Sequence, residues 1–138
     1  MVVSTEILTL RSSTRRQLID ITSETMQFVR DAEVKEGICT ISVPHATAAI
    51  IANEHETGLM NDVLAKIEEL FPKSGDYAHN AIDDNADAHI AAAFLGHSRS
   101  FPISNHALIR GTWQNIFLVE LDGPRSHRKV VLQAIGND

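Results

Sequence analysis

The chain has 138 residues, 43% hydrophobic and 22% charged. That is ordinary globular composition and enough length for one buried core, so it points to a single domain over residues 1–138. The net charge of −6 argues against general nucleic-acid binding, which sets clustered Lys and Arg against phosphate; the only basic groupings, Arg15-Arg16 and Arg125 to Lys129, are short. No apolar run approaches the ~18 residues of a membrane span, and no basic N-terminal region precedes an apolar core. The chain therefore reads as cytoplasmic, with no membrane partner. The single cysteine, Cys39, has no intrachain partner and sits in an apolar run, which suits a buried thiol in a reducing compartment.

Val2 to Leu10 is rich in β-branched residues and predicts a strand. A polar turn at Arg11 to Thr14 leads to a short strand from Arg15 to Ile19, which would make a hairpin with the first. Asp20 or Thr22 can cap a helix running to about Ala32, and Gly37 then breaks the chain. Ile38 to Val43 is a strand. Pro44-His45-Ala46-Thr47 interrupts it and Ala48 to Ala52 resumes the apolar run. Pro44 has no N–H for a ladder, so His45 stands beside an edge, a bulge or a bend. Asn53 and Glu56 have capping-box spacing ahead of a helix from about Glu56 to Leu70, with an apolar stripe of Leu59, Val63, Ile67 and Leu70 and Pro72 as its stop.

The segment His79 to His89 (HNAIDDNADAH) is the densest in polar chemistry. Asn85 or Asp84 is a natural N-cap for a helix from Ala86 to Leu95, with Gly96 as its stop. A helix's first turn offers free N–H groups and partial positive charge, which suits an anion. His97 to Ser100 is a polar linker, and Phe101 to Ser104 with Ala107 to Arg110 form a hairpin around Asn105-His106. Gln114 to Leu121 is apolar on both faces and so a central strand. A tight turn at Asp122 to Arg125 leads to a returning strand, His127 to Ile135, expected to pair antiparallel with it. These elements, about eight strands and three helices, define an α+β fold: one compact domain on a mixed, mainly antiparallel sheet or sandwich. A Gly-rich phosphate loop and a dinucleotide fingerprint are both missing.

Glu120 lies in a run that should be buried, so it needs a partner or a ligand. Asp122 follows two residues later, and Arg125 can pair with either carboxylate or bind phosphate with its planar fork. His45, His79 and His89 come from three segments and are candidate ligands for a divalent metal, Zn or Mg/Mn, although H-x-x-x-H and paired-Cys spacings are missing. Trp113 reads as core, or as a stacking surface for a flat ligand beside Gln114. His55, His97 and His127 read as surface residues and His106 as a turn residue.

The blocks P-H-A-T-A (44–48), N-E (53–54), H-N-A-I-D-D-N-A-D-A-H (79–89), G-T-W-Q (111–114) and E-L-D-G-P-R (120–125) together resemble the YjbQ-like family, described as secondary thiamine-phosphate synthases. The resemblance runs over nearly the whole chain. It implies a compact α+β domain, a homotrimer with a polar pocket near a subunit boundary, and a thiamine-phosphate synthase-like transferase activity. That reaction joins an aminopyrimidine-methyl diphosphate to a thiazole phosphate and releases diphosphate. On this expectation Asp87, His89, Glu54 and Arg125 are catalytic; Asn85, Trp113, Gln114, Glu120 and Asp122 bind substrate; and His45, His79 and His89 hold a metal that offsets the acidity of the cluster. Two other readings stand beside it: a metal-dependent hydrolase or other metalloenzyme, and a non-enzymatic trimer. The expected partner is a small phosphorylated or heterocyclic metabolite. The chain departs from the family pattern at Ala46, Asp84, Ala86, His106 and Arg110; Ala46 and Ala86 remove hydroxyls from the expected pocket.

Overall fold

A computed structural model describes residues 1–138. The strands are β1 (Val2–Leu10), β2 (Gln17–Asp20), β3 (Glu36–Ser42), β4 (Ala48–Asn53), β5 (Ser98–Ser104), β6 (Ala107–Leu108), β7 (Asn115–Glu120) and β8 (Arg128–Asn137). The helices are α1 (Thr22–Asp31), α2 (Thr57–Leu70) and α3 (Ala86–Leu95), with a 3-10 turn at Ala78–Ala81. One sheet has five strands in the order β1-β8-β3-β5-β6; the other has three, β2-β7-β4. Every pairing is antiparallel. The fold is the α+β domain expected.

The alternation of apolar residues explains the layers. On β7, Ile116 and Leu118 point into a core shared with the five-stranded sheet and α1, and Phe117 and Val119 point into a second core under α2 and α3. On β4, Ala48 and Ile50 face the first core and Ala49 the second. The three-stranded sheet is therefore covered on both faces. The five-stranded sheet is covered on one: on β8, Val130, Leu132 and Ala134 are buried while Lys129, Gln133 and Ile135 are exposed.

This difference corrects two expected hairpins. β7 and β8 do not pair, and neither do β1 and β2; β8 lies between β1 and β3, and β7 between β2 and β4. A strand with one wet face, such as β8, cannot join a sheet covered on both sides without burying polar groups. The predicted hairpin that does form is β5–β6, turning through Asn105 (φ 52°) and His106 (φ 65°). Both residues adopt the left-handed backbone that two-residue hairpin turns demand. β5 begins at Ser98, so most of the expected polar linker is strand.

Gly37 lies inside β3 rather than breaking the chain. A Cβ there would meet the Ile135 carbonyl oxygen at 2.1 Å, so glycine permits the close approach of β8. α2 is capped by Glu56, whose carboxylate accepts from the Gly58 and Leu59 N–H groups. The Asn53–Glu56 capping box does not form, because Asn53 ends β4 and its side chain accepts from Glu54 N–H. α3 ends at Gly96 (φ 97°), as its sequence indicates. Cys39 is buried, and burial pushes its thiol up to about 11. No helix is long and apolar enough to cross a membrane.

Candidate functional site

The corner where β7 ends and β8 begins is built around Glu120, which is fully buried. Arg128 donates to it from Nε (2.9 Å) and Nη2 (2.5 Å), and Ser12 Oγ donates at 2.6 Å. Arg128 Nη2 also donates to Thr47 Oγ1 at 2.9 Å. Burial works to raise the Glu120 pKa, but the donations from Arg128, Ser12 and the Asp122 N–H outweigh it and hold the carboxyl below its ordinary value. Glu120 ends a strand of one sheet and Arg128 begins a strand of the other, so the pair ties the two sheets together. The role is structural. Arg128 escaped the sequence reading, yet its position carried a signal: it falls on the buried phase of β8 with Val130, Leu132 and Ala134.

The second charged centre is Asp87, in the first turn of α3 and also fully buried. Arg15 Nη2 (2.9 Å) and Arg16 Nη2 (2.7 Å) pair with its two oxygens. Arg15 also reaches Asp122 (3.3 Å), which accepts from Arg125 (2.9 Å) and from Asn85 Nδ2 (2.8 Å). Asn85 Oδ1 in turn lies 3.2 Å from His79 Nε2. Because the Asn85 amide nitrogen is directed at a carboxylate, its oxygen faces the imidazole, and His79 Nε2 is assigned as the donor. The network thus runs from His79 through Asn85, Asp122, Arg15 and Asp87 to Arg16. Asn85 precedes α3 but does not cap it with its side chain; Asn80 Oδ1 accepts from the Ala86 N–H instead.

His89 is left outside this network, and Asp87 does not orient it. Residues two apart on a helix face different ways, and the Asp87 oxygens are already held by guanidinium groups. The His89 ring meets His79 edge to face at 4.9 Å between centroids. It stands in the wall between two hollows. One, of about 460 Å³, lies between the Val43–Ala48 segment and α3, with His45 and His97 also lining it. The other, of about 490 Å³, lies toward Tyr77 and His79. His97, read as a surface residue, is exposed as expected and also contributes to the lining; the signal for the second role was the helix stop at Gly96, which delivers the next side chain to that wall.

The proposed ligand triad of His45, His79 and His89 does not converge. His45 Nε2 accepts from the Lys129 N–H at 2.9 Å, so that nitrogen is occupied. Burial, followed by the nearby charge of Arg128, lowers the His45 pKa. Nowhere do three His, Cys, Asp or Glu side chains stand together as a metal would need.

The expected substrate-binding set also divides. β4 and β7 run antiparallel, with Ala48 opposite Glu120 and Asn53 opposite Asn115. Glu54, Trp113 and Gln114 therefore lie at the far end of β7 from Glu120, Asp122 and Arg125, roughly 17 Å along the strand. Trp113 is 70% exposed and not core. Gln114 Oε1 accepts from Gly111 N–H at 2.7 Å and closes its own loop. His55, expected at the surface, is exposed but pairs through Nδ1 with Asp20 at 2.6 Å.

The molecule is thus a two-sheet α+β domain in which a buried carboxylate–arginine frame sets the position of a histidine-lined hollow. The chain belongs to the UPF0047 protein YjbQ-like family, whose model matches residues 6–137. A UPF0047 protein of Methanothermobacter thermautotrophicus is 44% identical over 93% of this chain and 90% of its own length. The UPF0047 protein YugU of Bacillus subtilis is 32% identical over 86% of this chain and 90% of its own. A Sulfolobus solfataricus crystal structure, described as a YbjQ-like protein of unknown function, superposes with a TM-score of 0.97 at 50% identity, covering 98% of both chains. These findings correct the expected activity. The relatives are described as UPF0047 proteins and the Sulfolobus structure as a protein of unknown function, and thiamine-phosphate synthesis is supported by none of them.

Proposed function

We propose that the hollow between the Val43–Ala48 segment and α3 binds a small heterocyclic metabolite and that His89 exchanges protons with it. The observation that carries this reading is the state of His89: half-buried, at the wall of two hollows, with no hydrogen bond from its ring to the rest of the chain. An imidazole with open nitrogens beside a cavity is suited to acid–base work. The volume of about 460 Å³ is in the usual range for small-molecule sites. Apart from its three histidines the wall is apolar and holds no Lys or Arg, which favours a flat ring over a phosphorylated end.

A homotrimeric assembly belongs to the same proposal, and the outer face of the five-stranded sheet supports an assembly of copies. Val3, Ile135, Ile38 and Pro102 lie side by side across four strands, all exposed, a row that a second subunit would cover. The single buried thiol supports a cytoplasmic setting.

The test is amide NMR with purine and pyrimidine bases as probes, on the wild type, His89→Ala and Ala93→Leu. Ala93 is exposed and lines the hollow, so leucine there fills it without disturbing the core. Saturable shifts at His89, His97 and Ala93 in the wild type, lost in both variants, are expected. Shifts that survive Ala93→Leu would place the ligand elsewhere.

A further inference from the structure

Away from the histidine hollow, this acidic chain gathers positive charge at one corner. We propose that the hollow of about 310 Å³ lined by Arg11, Ser12, Pro124, Arg125 and Ser126 binds a phosphate-class dianion. Its two arms are held together by the backbone. Ser12 N–H donates to the Arg125 carbonyl (2.9 Å), and Gly123 N–H donates to the Arg15 carbonyl (2.9 Å). Arg125 N–H donates to Ser12 Oγ (2.9 Å), and that buried hydroxyl is itself anchored on Glu120. Arg11 and Arg125 are therefore presented across a fixed frame, which lowers the ordering cost of binding.

Arg125 donates from Nε to the Asp122 carbonyl and from Nη2 to Asp122 Oδ2, both at 2.9 Å. These bonds fix the guanidinium plane and leave Nη1 without a partner in the chain, on a residue that lines the hollow. The negative charge of Asp122 is offset by Arg15 and Arg125 together. Arg11 is exposed and pairs with no carboxylate, although the chain has 18 acidic residues to 12 Lys and Arg. Ser126 adds a hydroxyl, 2.8 Å from His127 Nδ1. The open fork of Arg11, the remaining nitrogen of Arg125 and a hydroxyl match the oxygens and double charge of a phosphate group. Pro124 is the one apolar side chain in the lining; the other four residues offer charge and hydrogen bonds. The overall acidity of the chain disfavours a polyanion such as nucleic acid. The site shares no lining residue with the histidine hollow, so each can fail without the other.

The test is calorimetric titration of the full chain with inorganic phosphate and with glycerol phosphate, at constant ionic strength set by chloride, with amide NMR to locate the response. Saturable binding centred on Arg11, Ser12 and Ser126 is expected. Arg11→Gln should weaken it at least about tenfold. Ser126→Ala should weaken it less, and Arg30→Gln on the exposed side of α1 should leave it unchanged. Tighter binding of glycerol phosphate assigns the site to a phosphorylated metabolite, and equal or tighter binding of inorganic phosphate assigns it to the free ion. No saturable binding, or binding indifferent to Arg11→Gln, overturns the proposal.

Discussion

The two ends of β7 carry similar chemistry under opposite conditions. At the C-terminal end Glu120 is sealed in the core and held by Arg128 and Ser12. At the N-terminal end Asp20 pairs with an exposed His55 and accepts from Asn115 Nδ2 at 2.9 Å, beside a tryptophan in solvent. At the dry end each charge must have its partner, because water cannot replace one that is lost. At the wet end water can, and the same kind of pair contributes little. Glu120 and Asp87 are both buried and held by arginines, which makes them framework, and the ring of His89 is engaged by neither carboxylate.

The sharpest way to break this comparison is to remove one partner at the dry end. Arg128→Met leaves Glu120 buried without its counter-charge and should cost about 3–5 kcal/mol, read from urea midpoints, with Glu120→Gln in the same chain recovering part of the loss. Asp87→Asn should cost less, about 2 kcal/mol, because the amide keeps one acceptor for Arg15 or Arg16 and Arg15 is partly exposed to water.

Acid should then test the dry end. The Glu120 carboxyl is held below its ordinary value in the fold. Its stabilisation is complete above the unfolded-state value of 4.5 and is lost as pH falls through the lower folded value. Glu120→Gln should flatten that part of the stability–pH curve. His45 acts in a window above it. Its folded pKa is lowered from 6.5, so the fold favours the neutral ring, and stability should begin to fall as pH drops below 6.5. The smallest effect belongs to the wet end. His55→Ala should change stability by at most about 1 kcal/mol; a loss as large as that of Arg128→Met would erase the distinction between the ends.

Much of the fold was legible in local pattern. The both-sides-apolar run of β7 marked a central strand, Gly96 marked the end of α3, and Asn105-His106 marked the β5–β6 turn. The strand partners were not, because adjacency in the chain suggested hairpins where the number of buried faces decided the sheet. Polar clusters were legible as clusters but not in their pairing. The arginine partners of Asp87 lie about 70 residues away, at Arg15 and Arg16, and nothing in local spacing encodes so distant a contact. Glu54, Trp113 and Gln114 were grouped with Glu120 through shared motif blocks, but the antiparallel register of β4 and β7 sends them to the other end of the sheet.

The most direct measurement compares His89→Ala with Asp87→Asn in one experiment, reading the urea midpoint and the amide response to a heterocyclic probe in each. If Asp87 is framework and His89 the working group, His89→Ala keeps its stability within about 0.5 kcal/mol and loses the probe response. Asp87→Asn, in the folded fraction, loses stability and keeps the response. The opposite pattern, a destabilised His89→Ala that still responds to the probe, would contradict that division.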